Sequence, residues 1–169
     1  MGINAAQLLK FVVRPTLERM TMAGEAAEQL VMGTIAVESD MGHFVRQMGG
    51  PAVGIGQMEP ATAADLLFRY LNRRDDTARR FQNAFSLIND TKISWNSVPI
   101  NLILNKLTSD LAFSVALVRL RYWVVPEALP AAGDLRGLGR YWKAHYNTAQ
   151  GAGTAMLFVR KYEQYCGVA

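Results

Sequence analysis

Between Glu25 and Met41 no proline interrupts the chain, and Leu30, Val31, Thr34, Ile35 and Glu38 recur at spacings of three and four. Side chains so spaced share one face of a helix, so the run predicts a helix with one stripe turned to a core. Gly42 is suited to a left-handed stop just beyond it. Glu38 therefore falls in the last turn, on the core-facing stripe. Desolvation and the negative end of the helix dipole both disfavour a charged carboxylate there and raise its pKa. An acid that keeps its proton near neutral pH is the group needed to protonate the leaving oxygen of a glycosidic bond. On position alone a glutamate in a last turn more often just reaches solvent, so its neighbours decide.

The rest of the chain is punctuated for helices. Asn4 and Gln7 form a capping-box pattern ahead of Leu8, Leu9, Phe11 and Val12, and Pro15 predicts an end or kink near Val13, with a short turn through Leu17 to Met20. Residues 42–58 are too glycine-rich for a helix and read as a loop with a small hairpin. Pro60 suits the first turn of a helix through Ala64, Leu67, Phe68 and Leu71. Asp76 or Thr77 is placed to cap the next, which buries Phe81, Ala84, Phe85 and Ile88. Residues 89–105, with Trp95 and Pro99, read as a long loop containing one helical turn. Thr108 or Ser109 opens the strongest helix, carrying Leu111, Val115, Val118, Leu120 and Tyr122 up to Pro126. Asp134 starts a helix through Leu138, Tyr141, Trp142 and His145, and a last one runs from about Thr154 to Tyr165. No Val- or Ile-rich alternation supports a large sheet. The expected fold is mostly α, with about seven to eight helices in one domain.

Composition narrows the function classes. The chain has 169 residues, half of them hydrophobic and 19% charged, as in ordinary globular domains. Cys166 has no intrachain partner for a disulfide, and no Cys or His cluster surrounds it. A net charge of +4 and a pI near 9.4 favour anionic partners. Arg73-Arg74 and Arg79-Arg80 flank Asp75-Asp76, which reads as a mixed solvated helix end rather than a nucleic-acid contact. The longest apolar stretch, Leu111 to Val118, is far too short for a membrane span. The N-terminus lacks the cationic start and apolar core of a signal peptide, and Ala6 breaks the myristoylation pattern. His43 and His145 form no metal-ligand spacing, and no phosphate-binding glycine loop is present. No cofactor and no metal are expected.

Three segments together carry a family resemblance. Glu38-Ser39, Gly54-Ile55-Gly56-Gln57-Met58-Glu59-Pro60 and Tyr146-Asn147 resemble, in order and rough spacing, the marks of soluble lytic transglycosylases with a lysozyme-like fold. The likeness spans about residues 25 to 165. Two departures stand out: Gly56 occupies a place where a larger residue is common, and the third segment reads Tyr146-Asn147-Thr148-Ala149-Gln150-Gly151, with its glycine displaced.

The resemblance implies cleavage of the β-1,4 bond between N-acetylmuramic acid and N-acetylglucosamine by one glutamate. Glu38 would first protonate the glycosidic oxygen, then act as base on the 6-hydroxyl of the muramic sugar, which closes to a 1,6-anhydro ring. The substrate's acetamido group would stand in for a second carboxylate. Ser39, Gly54, Gly56, Gln57, Met58, Tyr146 and Asn147 are the implied substrate-binding residues. Each has a simpler reading. Ser39 could bond its own backbone, the glycines could be plain turns, and Tyr146 could be a core aromatic beside Tyr141 and Trp142. Gln57 can donate and accept at once, which suits a sugar or an N-acetyl group.

A second acid is scarce. Asp40 is turned about 200° from Glu38 on a helix, Glu59 suits a helix N-terminus, and Asp65 faces solvent. The implied partner is the glycan strand of peptidoglycan, met by a monomer without stable membrane insertion. With no leader read, synthesis in the cytoplasm and action on the wall imply a phage-type lysis protein released through a holin pore, or a virion component. The alternatives are a hydrolytic muramidase and a catalytically silent wall-binding or virion-structural protein.

Overall fold

Proline does not break the first helical rod. In α1 (Ala5–Leu8) Asn4 Oδ1 accepts the Gln7 N–H at 3.0 Å. A π-helical turn, Leu9–Val13, then leads directly into α2 (Arg14–Arg19). At the expected break the register widens instead: the Arg14 N–H donates to Leu9 O, five residues back. Pro15 thus falls in the first turn of α2, where its missing N–H leaves the least unsatisfied. The computed structural model describes residues 2–84, 93–147 and 152–167.

The glutamate-bearing run forms α3 (Glu25–Ser39). Its stop lies earlier than Gly42, because Asp40 (φ 50°) and Met41 (φ 57°) already adopt left-handed backbone, and Gly42 (φ 73°) continues it. The segment that follows makes two isolated antiparallel bridges, Arg46 with Val53 and Val53 with Met58. This is the small hairpin in reduced form, and the described residues contain no longer strand.

Pro60 opens α4 (Pro60–Ala64) as expected, and the helical path continues through a π turn, Asp65–Tyr70, and a 3-10 turn, Leu71–Arg73. Next, α5 (Asp75–Asn83) has Arg74 at its N-cap, so Asp76 and Thr77 lie inside it. Asp75 and Asp76 still suit the positive end of its dipole. Phe81 and Ala84 are buried, whereas Phe85 and Ile88 lie outside the described residues.

The stretch read as a loop before Asn105 holds a 3-10 turn, Trp95–Ser97, and a ten-residue helix, α6 (Ile100–Ser109). Ile100, Ile103, Leu104 and Leu107 have helical spacing, which the intervening Asn101 and Asn105 obscured. Asp110, not Thr108 or Ser109, caps α7 (Leu111–Trp123), accepting the Phe113 N–H at 3.0 Å. The two hydroxyls instead bond back to Leu104 O and Asn105 O, each at 2.9 Å. Asp134 caps α8 (Leu135–Trp142), a π turn, Lys143–Asn147, extends it, and Thr154 caps α9 (Ala155–Cys166).

Helix α7 is the axis of the molecule. Phe113, Ala116, Leu117 and Leu120 pack into one buried cluster with Phe81, Trp95, Leu67 and Met58. Val115, Val118 and Tyr122 pack into a second with Leu30, Ile35, Leu138, Trp142 and Phe158. A helix that is apolar on nearly every side can serve two cores at once. Tyr146 touches both clusters and so stands at their seam. Among the described residues no single helix is long and apolar enough to cross a membrane.

Candidate active site

Glu38 leaves the last turn of α3 partly buried, with α8 in front of it. The Trp142 indole N–H donates to Glu38 Oε1 at 3.0 Å. Burial pushes the carboxyl up to about 7, and the Trp142 hydrogen bond, which favours the charged form, pulls against that rise. An acid balanced there can give up a proton and take one back at neutral pH.

It faces a cavity of about 400 Å³ lined by Glu38, Gln57, Met58, Arg121, Tyr146 and Asn147, with Gln47, Ala52, Glu59 and Thr62 along the loop and α4 side. That volume falls within the range of ligand-binding clefts, about 300–1,000 Å³. Five of the residues expected at the site from sequence, Glu38, Gln57, Met58, Tyr146 and Asn147, thus meet in one groove although they come from three separate stretches of chain.

Each wall is fixed from behind. Gln57 adopts left-handed backbone (φ 45°), and its Nε2 donates to Gly54 O at 2.9 Å and Phe44 O at 3.3 Å. Met58 is buried, and its backbone pairs with Val53. The Tyr146 hydroxyl donates to Gly56 O at 2.6 Å, which ties the π turn after α8 to the glycine-rich loop. Burial, and after it the charge of Glu38, hold that phenol far above its ordinary pKa, so it stays a donor. Asn147 Oδ1 accepts from Lys143 Nζ at 2.8 Å. Residues 148–151, with the displaced Gly151, lie outside the described residues.

Three expected contacts with substrate are replaced by internal ones. Ser39 is fully buried and is not part of the cavity wall; its hydroxyl donates to Ile35 O at 3.0 Å and accepts the Gly42 N–H at 2.8 Å, closing the end of α3. Gly54, with φ 78°, admits other protein atoms: a Cβ there would stand 2.5 Å from Leu107 O and 2.8 Å from Ser114 Oγ. At Gly56 a Cβ would meet Val118 Cγ2 at 2.3 Å and the Tyr146 hydroxyl at 2.9 Å. Both glycines therefore seat the loop on α6, α7 and Tyr146. The close approach they permit is to protein, not to saccharide.

Asp40 is turned away from the groove and pairs with Lys161 of α9. Asp65 pairs with Arg69 at the surface, at 3.2 Å. Glu59, assigned from sequence to a helix N-terminus, does sit at the N-cap of α4 and also borders the cavity. His43 stacks edge-on to Phe44 and His145 lies against Tyr141. Among the described residues no group of three or more His, Cys, Asp or Glu side chains assembles. Burial raises the Cys166 thiol to about 11, which leaves it protonated.

Sequence reasoning passed over Trp142 and Arg121. Trp142 looked like core packing, which its fully buried ring also is; nothing local says where an indole N–H points. Arg121 carried a usable signal as one of two cations in an otherwise apolar helix. No protein-family model, no curated protein and no solved structure matches this chain.

Proposed function

We propose that this protein is a peptidoglycan lytic transglycosylase that cuts the bond between N-acetylmuramic acid and N-acetylglucosamine. One observation carries the reading: a partly buried glutamate, raised to about 7 and held by an indole N–H, opens on a groove of about 400 Å³. The resemblance carried by Glu38-Ser39, the Gly54 to Pro60 segment and Tyr146-Asn147 supports the same activity.

In this mechanism protonated Glu38 gives its proton to the glycosidic oxygen as the bond to C1 breaks. The substrate's acetamido oxygen stabilises the cation-like centre. Glu38, now a carboxylate, removes the proton of the C6 hydroxyl as that oxygen bonds to C1. The acid ends as it began and no water is consumed. Trp142 orients the carboxyl, while Gln57, Tyr146 and Asn147 shape the walls that position the sugars.

The test is mass analysis of fragments released from purified peptidoglycan sacculi. Products one water lighter than hydrolytic muropeptides are expected from the wild-type protein, with release falling at least about a thousandfold in Glu38→Gln. Fragments of hydrolytic mass would sink the transglycosylase reading. A muramidase is the second reading, favoured by Glu59 on the same cavity, since an inverting hydrolase needs a base opposite its acid. Glu59→Gln separates the two, because it removes the base from a hydrolase and leaves the single-acid route its chemistry. Binding to sacculi with no fragments released by the wild type would instead identify a silent wall-binding protein.

A further inference from the structure

The two cations of α7 have different surroundings. Arg119 is 6% exposed, donates through Nε to Met22 O at 3.0 Å and lies over the Trp123 ring. It is built into the core. Arg121 is only partly buried, lines the groove, and has neither a hydrogen bond nor an ion pair with any described residue. Its charge is felt at Tyr122 and Tyr146, while Glu38 titrates without help from it. Arg121 thus shares the groove with Glu38 without pairing with it. That matters, because a cation paired with Glu38 would strip its proton and remove the acid needed to start the reaction.

A guanidinium is suited to grip a carboxylate with two parallel N–H bonds. Along a chain of N-acetylated sugars the amino groups are acylated and the hydroxyls neutral, so the sugar rings offer no anion. Each muramic residue, however, bears a lactyl ether that ends in a carboxylate, free in peptide-stripped strands or extended by a peptide stem with carboxylates of its own.

We propose that Arg121 is the specificity residue of this groove, docking a carboxylate carried on the lactyl side of the muramic sugar and so setting which sugar lies next to Glu38. This deepens the transglycosylase reading and rests on it. An N-acetylglucosamine residue in that place has nothing to offer the guanidinium. The cut is thereby directed to the reducing side of muramic acid.

The experiment compares three glycans: strands with peptide stems, strands stripped of peptide, and stripped strands whose lactyl carboxylates are converted to carboxamides. Release is followed for the wild type, Arg121→Lys and Arg121→Met. For the wild type, kcat/KM is expected to be about tenfold higher on a carboxylate-bearing strand than on the carboxamide, mostly through KM. Arg121→Met brings that ratio to about one, and Arg121→Lys recovers part of it. If the stripped strand holds the advantage, the lactyl carboxylate is the group recognised; if only the peptide-bearing strand does, the stem supplies it. A ratio unchanged in Arg121→Met, or a wild type indifferent to all three substrates, overturns the assignment of Arg121 while anhydro products still uphold the transglycosylase. Absence of anhydro products from every glycan overturns both.

Discussion

Glu38 is set by two opposed influences, and one of them can be removed by substitution. Trp142→Phe keeps a ring at the site and deletes the N–H that favours the carboxylate, so the Glu38 pKa moves above about 7. The alkaline limb of the pH profile of kcat/KM, where the free enzyme loses its acid, is expected to shift to higher pH, which release assays across pH 5 to 9 measure; an unmoved limb would refute the role of the indole. The linkage runs the same way. The folded pKa lies above the ordinary 4.5, so the stability tied to this group is complete below that value and is lost as pH rises through about 7, later still in the variant. At this scale the spacing of Leu30, Val31, Thr34, Ile35 and Glu38 made the core-facing position of Glu38 legible, and the motifs that follow it singled it out as an acid. The roles of Ser39, Gly54 and Gly56 were not, because a short motif names residues without saying which side of the backbone faces a groove and which faces protein.

The helices were legible where caps and apolar spacing agreed, as at Asn4, Pro60, Asp134 and Thr154. They are not legible where polar residues interrupt the face, as in α6, whose sequence reads as loop. The junction of α6 and α7 depends on Asp110. Burial alone would raise its pKa, but Lys106, at 2.6 Å, and the Phe113 N–H outweigh it and hold the carboxyl below its ordinary 3.8. Asp110→Ala should cost about 1–2 kcal/mol near pH 7, read from urea unfolding. Because the folded pKa is depressed, this contribution is present above the unfolded value and disappears as pH falls through the folded one. The variant and the wild type should therefore converge in strong acid. An equal gap at pH 7 and pH 2 would show that the cap and ion pair are not the cause.

At the scale of the whole molecule the groove lies between α3, the glycine-rich loop, α4, α7 and the π turn after α8, and α9 backs it through Phe158. Gly33 sits under Phe158 of α9 so closely that a Cβ would stand 2.1 Å from the ring's Cζ. Phe158 in turn packs on Trp142, with ring centroids 6.0 Å apart. Gly33→Ala is expected to push α9 outward and destabilise the fold by about 1–3 kcal/mol. It should also lower release activity in the surviving folded fraction, because Trp142 would lose its backing. Thermal unfolding beside activity per folded molecule checks both effects, and a variant as stable and active as the wild type would refute the chain of contacts. The sequence by itself determined the helical class and the placement of Glu38 on a core-facing stripe, since these follow from periodicity and capping within a few turns of chain, and its three short motifs named five of the ten residues that line the groove. Only tertiary structure decided that an indole 104 residues away would hold the acid. It also decided that two glycines would seat a loop on its neighbours and that Arg121 would stand in the groove with no hydrogen bond or ion pair among the described residues. Hydrogen-bond direction and close approach depend on where distant helices cross, and that geometry is set by the packing of both cores around α7, not by any local run of residues.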